Sequence, residues 1–229
     1  MAEQTRDSGP LSAAVADVAS GVALALGEGG SYALSRVLAR DDPVALAAIR
    51  VLGADVLAPY ALDGRQGARD GRDESVVRRA LAAYPPGADA SDVSVWSYRG
   101  LVEASRAYLP GTWPAQPRAG DDWVRTDPWP KLSHHASQLA ALSLPGLAPA
   151  LADALAARTE DLARGFVRAV RRRDWLQAAG IGRWLAGSPD TPESLGLDSG
   201  LAFVRRMGEG DARVALHLAA AQRFHGRGW

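Results

Sequence analysis

Apolar residues in this chain recur at three- and four-residue steps, and no run of β-branched or aromatic residues alternates with polar ones over a strand's length. A strand buries every second side chain, whereas a helix buries a stripe that returns about every 3.6 residues. The patterning therefore leaves helices as the regular structure this sequence can build. It predicts an all-α fold, a single multi-helix bundle of about eight to ten helices.

Local signals place the helices. Leu11, Val15, Val18, Val22 and Leu26 form one apolar stripe, capped by Ser8 or Ser12 and closed by Gly27, Gly29 and Gly30. A short helix is expected over Ser31–Ala39. Asp41-Asp42-Pro43 is a strong start, an acidic cap before a proline whose missing N–H costs nothing there. From it a third helix is expected to run unbroken from Val44 to Leu62. Gly64–Arg72 reads as a connector, Asp73–Tyr84 as a helix, and Trp96–Leu109 as another entered through Asp92 or Ser94.

Further on, Leu132–Leu142 reads as helical. The longest helix is expected over Leu147–Arg172, with Leu151, Leu155, Leu162, Phe166 and Val170 buried. Asp174–Ala186 and Ser199–Met207 follow, and Asp211 caps a last helix that runs to Phe224. Ser188–Gly200 is a smaller loop. This organisation predicts a single helical domain over 1–229, its halves 10–109 and 131–225 joined by the loop 110–130.

That central stretch, Tyr108 to His135, holds three of the seven tryptophans, five prolines and two of the four histidines. Long ordered loops supply specificity on a helical frame, so function is expected there. Tyr108, Trp113, Trp123 and Trp129, with Arg125 among them, are candidate ligand-binding residues. Tryptophans this frequent must be buried, either against helices or around a ligand. His134 and His135 are the candidate catalytic bases, with Asp122 a candidate orienting carboxylate.

Asp121, Asp122 and Asp127 are candidate metal ligands. Their spacing resembles the aspartate clusters with which prenyl synthases and class I terpene cyclases hold magnesium on a diphosphate. Those clusters project from one helix face, whereas Gly120 and Pro128 bracket this one, and a matching downstream motif is missing. The plainer account is turn and N-cap aspartates. No pattern in the chain identifies a family.

Arg164, Arg168, Arg171 and Arg172 share one helical face. Phosphate binding is one reading; a solvated face that offsets the helix dipole is the blander and preferred one. Residues 1–108 carry 11 Arg against 14 acids and residues 132–229 carry 12 Arg against 9, nets of −3 and +3. This asymmetry lets the halves attract, or is counting noise. Net charge over the whole chain is zero, which argues against a nucleic-acid partner. With no cysteine, disulfides, thiolate metal sites and cysteine nucleophiles are excluded. Lys131 is the only lysine among 26 basic residues, which fits codon bias in a GC-rich bacterial genome. The first apolar run is expected to be too short for a bilayer, so the chain is expected to be cytoplasmic.

The expected function is binding of a small molecule or peptide in a pocket lined by the central loop, as an accessory protein in a biosynthetic or regulatory system. Two alternatives stay open. One is an enzyme on a hydrophobic or diphosphate-bearing substrate, with magnesium held by the three aspartates. The other is a protein-interaction scaffold, as a homodimer for example.

Overall fold

The computed structural model describes residues 8–29, 32–38, 42–63 and 71–226. Among them there is no strand, and the fold is all-α. The chain clusters into two compact units, residues 1–117 and 118–229. The expected halves fall one to each unit, and the boundary lies inside the loop 110–130. Residues 1–7, most of the expected connector at 64–70 and the last residues 227–229 lie outside the described residues.

The first unit contains α1 (Ser8–Glu28), α2 (Leu34–Val37), α3 (Pro43–Leu52), α4 (Tyr60–Asp63), α5 (Arg72–Ala83) and α6 (Asp92–Tyr108). The stripe on α1 is buried at Val15, Val18, Val22 and Leu26, where it packs on α3. Asp42 caps α3 as expected, accepting from Ala45 N at 2.9 Å. The expected continuous helix 44–62 is broken. A 3-10 turn over Gly53–Leu57 separates α3 from α4, because Gly53 takes a positive φ of 59° and Pro59 has no N–H to continue the ladder. The cap of α6 is Ser91, accepting from Ser94 N, one residue ahead of Asp92 and three ahead of Ser94, the expected caps.

A buried carboxylate organises this unit. Asp73, 2% exposed, accepts from Leu34 N at 3.0 Å and Ser35 N at 2.7 Å, and takes the Tyr60 hydroxyl as well. It thus satisfies N–H groups that the first turn of α2 leaves orphaned, from 38 residues away. Tyr32 packs edge-on to Tyr60 and donates to Val56 O at 2.9 Å. Burial first, then Tyr60 and Asp73, hold the Tyr32 phenol well above its ordinary pKa.

Two windows, Gly9–Glu28 and Pro43–Leu62, are long and apolar enough to cross a membrane, with 28% and 72% of their residues buried. This corrects the expectation that the first run is too short: α1 extends beyond Leu11–Leu26 at both ends. The second window is interrupted by the 3-10 turn and is mostly core.

The second unit contains α7 (Asp122–Thr126), α8 (Trp129–Gln138), α9 (Pro149–Ala156), α10 (Thr159–Arg171), α11 (Trp175–Gly187), α12 (Leu197–Met207) and α13 (Ala212–His225). At its centre is α11, buried from Ala178 to Ala186 and packed on α8, α10, α12 and α13. Glycine allows the close approach. A Cβ on Gly180 would lie 2.7 Å from Ser137 O of α8, and one on Gly165 of α10 would overlap the Ser133 side chain. Arg183, 1% exposed, places Nη1 3.4 Å from Nδ1 of the buried His217 on α13.

The expected longest helix is two helices, α9 and α10, with Ala157 and Arg158 between them. Leu151, Leu155, Leu162 and Phe166 are buried as expected, and Val170 is half-buried. The end of α10 is closed by Arg173 in the left-handed conformation (φ 59°), which lets Asp174 N reach Ala169 O at 3.0 Å. Asp174 and Asp211 cap α11 and α13 as expected.

Candidate functional site

The candidate residues of the central loop divide between the two units. Tyr108 ends α6, half-buried, and its phenol is raised in pKa by burial and then by Glu103. Trp113 is buried, with the Arg78 guanidinium of α5 5.6 Å from its ring centroid. Arg106 of α6 donates to Pro114 O at 2.6 Å, fixing the chain beside it. These contacts hold the first part of the loop to the helices that precede it.

In the second unit the loop contains a helix that the sequence reading missed. Within α7, Trp123 and Val124 are buried, while Asp122 and Arg125 form an ion pair at the surface. Arg158 holds this short helix in place. Its guanidinium donates to Val124 O at 2.7 Å, Arg125 O at 3.2 Å and Asp127 O at 3.2 Å, and it pairs with Asp161 at 2.6 Å. Carbonyls at a helix end have no partner within the helix, and a planar five-donor fork can serve several at once. The same residue therefore breaks the expected long helix and orders the loop.

Asp127 lies between Lys131 Nζ at 3.0 Å and His135 Nδ1 at 3.4 Å. The imidazole of His135 also stands edge-on to Trp123, 5.3 Å between centroids. Asp127, not Asp122, is thus the carboxylate beside a candidate base. His134 is exposed, on a different face of α8. Asp121 occupies the N-cap position of α7 without a side-chain cap bond. Among the described residues no three His, Asp or Glu side chains gather as a metal site requires, so Asp121, Asp122 and Asp127 do not form one cluster.

The concave feature that the loop does help to build is a groove of about 960 Å³ in the second unit. Its floor is one stripe of α10 and its C-cap: Glu160, Ala163, Arg164, Val167, Arg168, Arg171 and Arg172. These positions recur at three- and four-residue steps, as one helical face requires. Trp129, at the start of α8, forms one wall, and Pro192, Ser194 and Leu195 form the other. The second wall is a 3-10 turn over Glu193–Leu195, inside the expected loop 188–200. The Arg168 guanidinium lies over the Trp129 ring, 5.5 Å from its centroid. Val167 remains 44% exposed on the floor.

Of the candidate ligand-binding residues, Trp129 lines this groove, while Tyr108, Trp113, Trp123 and Arg125 do not; neither do His134 and His135. The arginine face, preferred in sequence as a solvated surface, is the floor. Its spacing was visible in the sequence. The walls that make it concave come from Trp129, before α10, and from Pro192 to Leu195, beyond α11, and no local pattern joins them. No protein-family model, curated protein or solved structure matches this chain.

Proposed function

We propose that the protein binds a small molecule in the groove between Trp129, the arginine stripe of α10 and the Pro192–Leu195 turn, as a cytoplasmic ligand-binding protein. The observation that carries this reading is the groove's size and lining. Its volume of about 960 Å³ falls within the range of roughly 300–1,000 Å³ typical of small-molecule sites. Its lining mixes an aromatic wall and an exposed aliphatic floor with a few directional charged groups, which is the composition that orients a ligand as well as burying it.

Val167→Asp tests the reading. The side chain is nearly half exposed, so the substitution leaves the core intact while placing a carboxylate in the middle of the floor. Ring-bearing compounds that raise the melting temperature of the native chain should lose that effect in the variant, because a ligand stabilises only the state that binds it. A thermal shift that survives Val167→Asp unchanged places the ligand elsewhere and overturns the proposal.

A further inference from the structure

The geometry points to a phosphorylated, ring-bearing compound as the ligand class of this groove, an inference that rests on the binding reading above. The groove is electrically lopsided along its length. From Glu160 to Arg172 the floor spans twelve residue steps along α10 and its C-cap, about 18 Å at roughly 1.5 Å per residue. At the Glu160 end the charge is balanced, since Arg158 pairs with Asp161 at 2.6 Å and Arg164 lies 3.3 Å from Asp161 and 3.7 Å from Glu160. At the other end Arg171 and Arg172 are both exposed, and no carboxylate pairs with either among the described residues. The nearest acid in sequence, Asp174, is engaged as the cap of α11.

The helix dipole does not cancel this charge. The carbonyl end of α10 carries about half a negative charge. Against it stand the full positive charges of Arg168, Arg171 and Arg172 along the groove. The surplus is positive at one end and near zero at the other. A ligand that matches it carries its anion at one end only.

Chemistry narrows the anion. Adjacent helical residues leave the axis about 100° apart, so Arg171 and Arg172 approach a shared ligand from two directions. A carboxylate carries one charge, and its acceptor sites lie in a single plane. A phosphate monoester presents three acceptor oxygens and close to two negative charges in a tetrahedral array, so two guanidinia can engage it from different sides. The middle of the groove narrows the remainder. Trp129 and Arg168, which stack on each other, offer flat surfaces beside Val167, Ala163, Pro192 and Leu195. A planar ring system fits flat and aliphatic walls better than a flexible polar chain does.

The experiment is calorimetric titration of the full chain with three probes: naphthyl phosphate, naphthol and inorganic phosphate. The double variant Arg171→Gln/Arg172→Gln and the blocking variant Val167→Asp are titrated in parallel. Naphthyl phosphate is expected to bind at least tenfold more tightly than either part alone. The double variant should weaken it by about ten- to a hundredfold, the scale of losing charge-assisted hydrogen bonds, and added salt should weaken it too. If naphthol binds as tightly as naphthyl phosphate and Val167→Asp abolishes both, the groove reading stands and the phosphate class is overturned. If inorganic phosphate binds as tightly as naphthyl phosphate, the ring requirement is overturned. If the double variant binds naphthyl phosphate like the native chain, the role of the two arginines is overturned. If none of the three probes binds, or Val167→Asp leaves their binding unchanged, the groove reading itself falls.

Discussion

Gly180→Ala is a one-carbon change whose cost follows from two opposing terms. Replacing a helical glycine by alanine favours folding by about 1 kcal/mol, through helix propensity and a less flexible unfolded chain. Against this, the new Cβ would sit 2.7 Å from Ser137 O, 3.1 Å from its Cα and 3.2 Å from its Cβ. The nearest of these is backbone, which no rotamer change can move aside. Helices α8 and α11 must therefore separate by several tenths of an ångström, and overpacking of this kind costs about 1–3 kcal/mol. The same separation strains the bond from Trp184 Nε1 to Ala136 O, 2.8 Å long in this interface, whose loss adds about 0.5–1.5 kcal/mol.

The balance is a destabilisation of about 2 kcal/mol, a fall of about 4–8 °C in Tm for a chain of this length. Urea unfolding followed by far-UV circular dichroism measures it. Gly27→Ala is the control: it lies on exposed helix with no atom within 4 Å of a new Cβ, so only the favourable term applies and stability should not fall. A Gly180→Ala protein as stable as the native chain would refute the close-approach argument.

Two further predictions concern the same unit. The imidazole of His217 is held well below its ordinary pKa by burial, then by Arg183 and Arg213; the unfolded chain, titrating near about 6.5, therefore binds the extra proton first. The stability this contributes is fully present above that value and is lost as pH falls below it, by at most about 1.4 kcal/mol per pH unit. Urea unfolding across this range should show the slope, and His217→Gln should remove it; an equal slope in the variant assigns the dependence to other groups. Arg158→Lys keeps the charge but loses the fork that binds three carbonyls, so hydrogen exchange at the Asp127 amide, bonded to Trp123 O at 2.9 Å, should accelerate by tenfold or more. Unchanged protection there would show that α7 is held by Trp123 burial alone.

What the sequence displayed was whatever nearby residues decide. Asp42, Asp174 and Asp211 cap the helices just after them, and the stripe on α1 follows from its own periodicity. What it concealed depends on partners far along the chain. Nothing around Arg158 indicates that carbonyls some thirty residues earlier draw its side chain and end a helix there. Asp73 reads as a first-turn acid of its own helix, yet it serves the start of another. The tryptophans were rightly read as buried at Trp113 and Trp123, but their shared loop concealed that they serve different units. Of the candidate site, the sequence offered Trp129 and the arginine spacing separately; the turn at Pro192 is what joins them into a concave surface.

Trp129, Ser133 and Ser137 lie four residues apart along a single side of α8. Ser133 meets Gly165 one helical turn from where Trp129 meets Arg168. Contacts between a hydroxymethyl group and bare backbone leave no methyl to compress, and the Ser133 hydroxyl is held by donating to Trp129 O. They work as a clamp on a stiff rod, and the indole is its tip. The aromatic wall is therefore in register before any ligand arrives, so binding need not spend free energy on setting it.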